Sequence, residues 1–176
     1  MARASMSQLI SLVRDLIGDP AGANQIFTDD QIERSLDVHR WDLRYVPLKP
    51  FPTVISAHTE YLDWYSDEPY WEADATLYDS DYNVLVPASS DPMHGRWSFA
   101  THQPVVLASG KVYDPYGAAA DLLQMWAGLV ATEFDVSADG ATMTRSQKRL
   151  ALLELAAQYR KRQRIVTAKQ ERTDAW

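Results

Sequence analysis

Two stretches of this chain hold residue types whose spacing could do chemistry. In the first, Asp63, Asp67, Glu68, Glu72 and Asp74 are interleaved with Trp64, Tyr65, Tyr70 and Trp71. Stacking aromatics beside paired carboxylates can bind a sugar or cleave a glycosidic bond. The competing reading is an acidic, solvated face on a small sheet whose aromatics form its thin core, and composition favours it because it supplies neither a spacing nor a pocket. In the second stretch Arg160, Lys161, Arg162, Arg164, Lys169 and Arg172 run out to a terminal Trp176. Cations at a helix C-terminus suit the negative pole of its dipole and need no partner. Yet this run outlasts the helical pattern, and Arg and Trp are the residue types that dominate interfaces. Docking onto another molecule is therefore the expectation for Arg160, Lys161, Arg162, Arg164, Lys169, Arg172 and Trp176. Contact with DNA is a third option, which would bring a steep dependence on salt.

Other chemistry is sought and not found. Asp135, Ser137, Asp139 and Gly140 imitate the opening of a calcium loop, but Ser146 stands where the bidentate acid belongs, so a polar turn is the better reading. Gly110-Lys111 lacks the upstream glycine of a phosphate loop and reads as a hairpin turn. His39, His58, His94 and His102 never recur at ligand spacing. The chain has no cysteine, which removes disulfides and thiolate chemistry, and no G-x-S-x-G elbow supports a serine nucleophile. The expectation is a protein that is not an enzyme, with no cofactor, no metal and no catalytic residues.

With 176 residues, 46% of them hydrophobic, the chain can bury one ordinary core and a small lobe beside it. No apolar run approaches the ~20 residues of a membrane span, and the first residues do not read as a secretion signal, so a soluble intracellular product is expected, with no membrane contact. The net charge of −7 is uneven: residues 1–48 carry −2, residues 49–114 carry −7, and residues 115–176 carry +2. An acidic middle and a basic end disfavour DNA binding over the whole surface and leave two oppositely charged contact regions.

The elements that must position these residues are legible in outline. Ser7 precedes Leu9, Leu12, Val13 and Leu16, a helical stripe stopped by Gly18-Asp19-Pro20. Phe27-Thr28-Asp29-Asp30-Gln31-Ile32 combines a capping box, Thr28 with Gln31, and a hydrophobic staple, Phe27 with Ile32, so a second helix runs from there to about His39. The period changes at Trp41, Leu43 and Tyr45, and prolines mark a boundary. Between residues 50 and 114 lie 11 of the 19 aromatics, in short strand-like runs that predict one small antiparallel sheet. Asp114-Pro115 opens a third helix with Leu122, Trp126, Leu129 and Val130 on one face and Phe134 at its end. Thr144 to Gln147 caps a fourth, whose Leu150, Leu152, Leu153, Leu155, Ala156 and Tyr159 form its apolar arc. The fold class predicted is α+β, a small helical bundle from N- and C-terminal helix pairs with an inserted small antiparallel β-sheet. Four segments follow: 1–48, N-terminal helices of the core; 49–113, the aromatic, acidic β insertion; 114–159, the C-terminal helix pair; 160–176, a basic extension.

This order of parts resembles the head-to-tail adaptor (head completion or connector) proteins of tailed bacteriophages. The residues that carry the resemblance are the Leu9 to Ile17 helix, Phe27 to Ile32, Trp41-Asp42-Leu43-Arg44-Tyr45 with Pro47-Leu48, and Tyr113-Asp114-Pro115-Tyr116 leading into Ala118 to Leu123. Phe134 to Gly140, Arg145 to Lys148 and Leu155 to Arg160 continue it. The resemblance implies a virion protein at the capsid-tail junction, made in the host cytoplasm. It implies a homo-oligomeric ring, usually dodecameric, between the portal protein and a tail-side connector or stopper, with DNA passing through its channel unread. Carried over, the portal-docking segment is Arg160 to Trp176. A carbohydrate-binding or glycan-hydrolysing module built on the aromatic, acidic insertion is the alternative.

Overall fold

The computed structural model describes residues 2–55, 58–132 and 145–164. Helix α1 spans Ser7–Ile17 and ends at Gly18, whose φ of 69° is the left-handed cap expected there. Helix α2 spans Asp29–Val38 behind the expected capping box: the Gln31 N–H donates to Thr28 Oγ1 (3.3 Å), and the Thr28 N–H donates to Gln31 Oε1 (2.8 Å). The staple residues Phe27 and Ile32 are both buried in one core cluster with Leu9, Val13 and Leu36. Between these helices the buried Arg14 closes the loop. Its guanidinium donates to the carbonyl oxygens of Asp19 (2.9 Å) and Phe27 (2.8 Å) and to Asp29 Oδ1 (2.7 Å), while Asp19 accepts from the N–H groups of Ile26 and Phe27. A buried cation is tolerated here because its fork finds an acceptor in every direction.

The strands are β1 (Arg40–Pro47), β2 (Lys49–Ile55), β3 (His58–Tyr65), β4 (Thr76–Tyr78), β5 (Val84–Leu85), β6 (Ser89–Asp91), β7 (Arg96–Ser98) and β8 (Leu107–Tyr113). They form two four-stranded antiparallel sheets, ordered β1-β8-β4-β5 and β2-β3-β7-β6, where a single sheet was expected. The segment read as a boundary is itself a strand: β1 pairs with β8, Arg40 opposite Tyr113, with a bulge between Leu43 and Val46. Trp64, Trp71, Leu77, Trp97, Val106 and Val112 fill a second core cluster in this half of the chain. In it Trp71 and Trp97 meet edge-on at 5.7 Å between ring centroids.

Helix α3 (Pro115–Thr132) follows β8 with Asp114 alone between them, and α4 (Arg145–Arg162) packs along it. The first half of α3 is buried nearly all round, Ala118, Ala119, Ala120, Leu122 and Leu123 included, because α1, α2 and α4 all pack on it. The chain is thus α+β, and among its described residues no helix is long and apolar enough to cross a membrane. Three expectations shift. Leu129 and Leu150, assigned to apolar faces, are more than half exposed. Leu155 lies only partly buried against the core, where Ala156 is the fully covered residue of that turn. Helix α4 runs on to Arg162, past the boundary drawn at 159. Phe134, the loop 135–140 and the Thr144 cap fall outside the described residues.

These packing differences set magnitudes. Leu123→Ala, at a fully buried position, costs about 2–5 kcal/mol, Leu155→Ala falls at or below the lower end of that range, and Asp67→Ala stays within about 0.5. Urea unfolding of the three variants checks the order; equal midpoints for the two leucine variants would contradict the placement of the core beneath α3.

Candidate functional site

Two groups of side chains tie the helical half to the β half, and one of them contains the cations singled out in the sequence. That group forms around Asp114, which is buried. Its N–H donates to the His39 carbonyl (2.9 Å), and its Oδ1 accepts from the N–H groups of Tyr116 (3.0 Å) and Gly117 (3.1 Å), capping α3. Its Oδ2 accepts from the Arg164 N–H (2.8 Å), which brings the far end of α4 to the start of α3. Gly117 packs close beside it: a Cβ there would stand 2.8 Å from His39 Nδ1, so the imidazole would have to shift.

Around this joint the expected docking residues split. Arg160 pairs with Asp121, whose other oxygen is hydrogen-bonded to His39 Nε2 at 2.7 Å. The Arg162 guanidinium lies 5.8 Å from the centre of the Tyr116 ring, and that of Arg164 lies 5.1 Å from the Trp41 ring. Arg164 also grips Glu68 with both nitrogens, Nη2 donating to Oε1 at 2.5 Å. Lys161 is exposed. Lys169, Arg172 and Trp176 lie outside the described residues. Arg160, Arg162 and Arg164 thus find partners within their own chain as well. Helix α4 does run out of apolar surface there, but Asp121, Glu68, Tyr116 and Trp41 reach its end from other elements. A cavity of about 310 Å³ opens beside these arginines, lined by Glu68, Tyr70, Tyr116, Arg162 and Arg164 among others.

The second group surrounds Glu72, a residue that sequence reasoning placed on an acidic surface and that is in fact completely buried. The Ser5 hydroxyl donates to Oε1 (2.5 Å), and the Tyr113 hydroxyl (2.7 Å) and Lys111 Nζ (3.2 Å) donate to Oε2. Arg3 stands 3.7 Å away, anchored in turn by Glu33 and Asp37. Burial pushes the Glu72 carboxyl up, but these hydrogen bonds and the Arg3 charge outweigh it and hold it below its ordinary value of 4.5. Burial, and then the Glu72 charge that its hydroxyl donates to, pushes the Tyr113 phenol up. With no surface open to solvent, Glu72 has no access for a substrate. It is a structural tie between the N-terminal segment and β8.

The sugar-site expectation meets the same outcome residue by residue. Trp64 and Trp71 are core residues, and the Trp71 indole N–H donates to the Glu68 carbonyl oxygen (2.7 Å). The five acids are engaged by different partners: Asp63 by Ser98, Asp67 by Lys49, Glu68 by Arg164, Glu72 by Tyr113, and Asp74 most loosely, 3.8 Å from Lys111. Only Tyr65 of the four aromatics counts among the exposed large apolar side chains. Among the described residues no three His, Asp or Glu side chains gather so as to hold a metal ion. Residues 135–140 of the calcium-like loop are outside that set.

Because the Glu72 carboxyl is lowered on folding, its contribution is full above about 4.5, its ordinary value, and is lost as the pH falls through the lower folded value. Glu72→Ala leaves the hydroxyls of Ser5 and Tyr113 and the Lys111 ammonium without this acceptor, which costs about 1–3 kcal/mol at neutral pH and flattens the acid limb of the stability curve. Chemical unfolding at stepped pH reads both; an acid limb of unchanged slope would remove Glu72 from this role. Set beside family models, curated proteins and solved structures, the chain matches none of them.

Proposed function

We propose that this chain is a head-to-tail adaptor of a tailed bacteriophage, a structural subunit that assembles with its own copies into a ring between the portal and the next tail component. The observation that carries the reading is the end of α4. It delivers Arg160, Lys161, Arg162 and Arg164 to one place on the surface, where the chain goes on into Lys169, Arg172 and Trp176. The order of elements that resembles the adaptor family supports it, as does the burial of Glu72, Trp64 and Trp71, which removes the residues a glycan site would use.

The chemistry of the partner follows from the contacts. The pairs Arg160–Asp121 and Arg164–Glu68 are half exposed, so each contributes at most about 1 kcal/mol and exchanges readily for a carboxylate on another molecule. A portal surface that receives this end of the chain is therefore acidic, with an apolar recess for Trp176. The net charge of −7 repels the phosphate backbone and suits a channel that DNA crosses without being held.

Removing residues 160–176 abolishes binding to the purified portal ring on this reading, and removing 165–176 alone, which spares every contact described above, weakens it by about tenfold or more, as loss of interface anchors does. Native mass spectrometry of the mixtures checks both. Undiminished binding by the longer deletion would end the docking assignment.

A further inference from the structure

The β half of the chain carries two exposed surfaces that match each other. At the outer end of the first sheet, the β1 bulge and the β4–β5 turn bring Tyr45 against Tyr78 and Tyr82, edge-on, with ring centroids 5.1 and 4.9 Å apart. Tyr45 and Tyr82 both hold positive φ, 51° and 63°, a backbone that a tyrosine adopts where its surroundings impose it. The surroundings do so. The Tyr45 N–H donates to Ser109 Oγ (2.8 Å), and the Asp79 carboxylate accepts from the N–H groups of Asp81 (2.8 Å) and Asn83 (2.9 Å). Tyr82 in this turn, and Val84 and Val86 in and just after β5, are 60%, 62% and 84% exposed. The adjacent Asp81 carboxylate has no ion-pair partner among the described residues.

The second sheet offers the converse. Its outward residues stand in two cross-strand rows, Phe51-Asp63-Ser98 and Lys49-Tyr65-Arg96. Of these, Phe51, Asp63, Tyr65, Arg96 and Ser98 line an open cavity of about 630 Å³, in which Phe51 is 62% exposed. Arg96, exposed on its floor, has no ion-pair partner among the described residues either.

We propose that the β4–β5 turn and β5 on one copy of this chain, with Tyr82, Val84 and Val86, seat in the Phe51–Tyr65–Arg96 cavity of the next copy. Convex apolar residues meet a concave aromatic face, and the unpaired Asp81 meets the unpaired Arg96. A second copy is the occupant because both halves of the match belong to one chain, on different sheets, carry opposite charges at Asp81 and Arg96, and are covered by none of its described residues. Such a contact joins two different surfaces, so it repeats from copy to copy and closes into a ring when the rotation between copies divides a full turn. The inference rests on the ring reading above and names the surfaces that would build it.

Charge reversal at these exposed positions tests it without threatening the fold. Asp81→Arg and Arg96→Asp are each assayed for assembly, in solution and on the portal ring, by native mass spectrometry and light scattering. Each alone raises the concentration needed for assembly by about tenfold or more, since like charges then face each other across the contact. Mixing the two, or combining them in one chain, restores assembly, because each reversed residue again meets its opposite. Three outcomes overturn the proposal: single variants that assemble like the native chain, a mixture that fails to recover, or a native chain that forms no oligomer in either setting. Assembly that appears only when residues 165–176 are removed would place the chain's own terminus in the cavity and equally overturn it. Portal binding is scored separately. A chain that binds the portal yet ignores both reversals keeps the adaptor reading and loses this contact, whereas one that recovers by charge reversal but never binds the portal does the opposite.

Discussion

Asp114 is the joint on which the arrangement of this chain depends. It is the one residue between β8 and α3, and its side chain and backbone together bind the end of α2 through the His39 carbonyl, the first turn of α3 through two N–H groups, and the end of α4 through the Arg164 N–H. A helix begins wherever its first amide groups find acceptors. Here the residue that caps α3 as an acceptor also meets the ends of two other helices, donating to one and accepting from the other. That is why the cationic end of α4 sits where it does: its position is set by a cap at the other end of its neighbour.

The β half is no detachable lobe. Arg3 and Ser5, ahead of α1, reach Glu72 in the loop before β4, and Tyr113, the last residue of β8, meets the same carboxylate from the other side. Main-chain bonds run alongside, from the N–H of Glu72 to the Lys111 carbonyl and from that of Tyr113 to the Tyr70 carbonyl. Apolar contact alone would let two layers slide, because burial is non-directional. A carboxylate in a dry site that must keep three donors allows only one register. The insertion is thereby held as an extension of the helical core.

What was legible in the sequence was local. The Thr28–Gln31 box, the Gly18 stop and the Asp114-Pro115 start each act within one helical turn, and all three stand as read. The alternation of Trp41, Leu43 and Tyr45 is visible in the sequence, but the pairing of β1 with β8 is not, because nothing near residue 40 announces a partner near residue 113. The two-sheet division was hidden for the same reason. Glu72 was misplaced because an acid in an acidic stretch reads as exposed, and the donors that bury it lie 67, 41 and 39 residues away in sequence. The alternation did contain one usable clue. Asp63 and Tyr65 share one face of β3, so Trp64 between them had to point the other way, into the core.

The polar contacts of this molecule fall into two energetic classes, and the division bears on how it would work in an assembly. Arg14, Glu72 and Asp114 are buried and fully partnered. Removing one partner from such a group costs several kcal/mol, about 3–5 for a buried charge, so no visiting molecule can compete for them. Arg160 and Arg164 face acids across a surface that water already reaches. Their pairs contribute at most about 1 kcal/mol each, and the stacking of Arg162 and Arg164 on Tyr116 and Trp41 adds about 0.5–1 apiece at an exposed site. That sum is enough to hold the end of α4 in one place and too little to resist a surface that offers equivalent acids and rings. Only the Arg164 N–H, held by the buried Asp114, would stay behind. A partner drawing on these arginines would therefore recruit side chains that are already positioned, and ordering them on binding would carry little entropic cost.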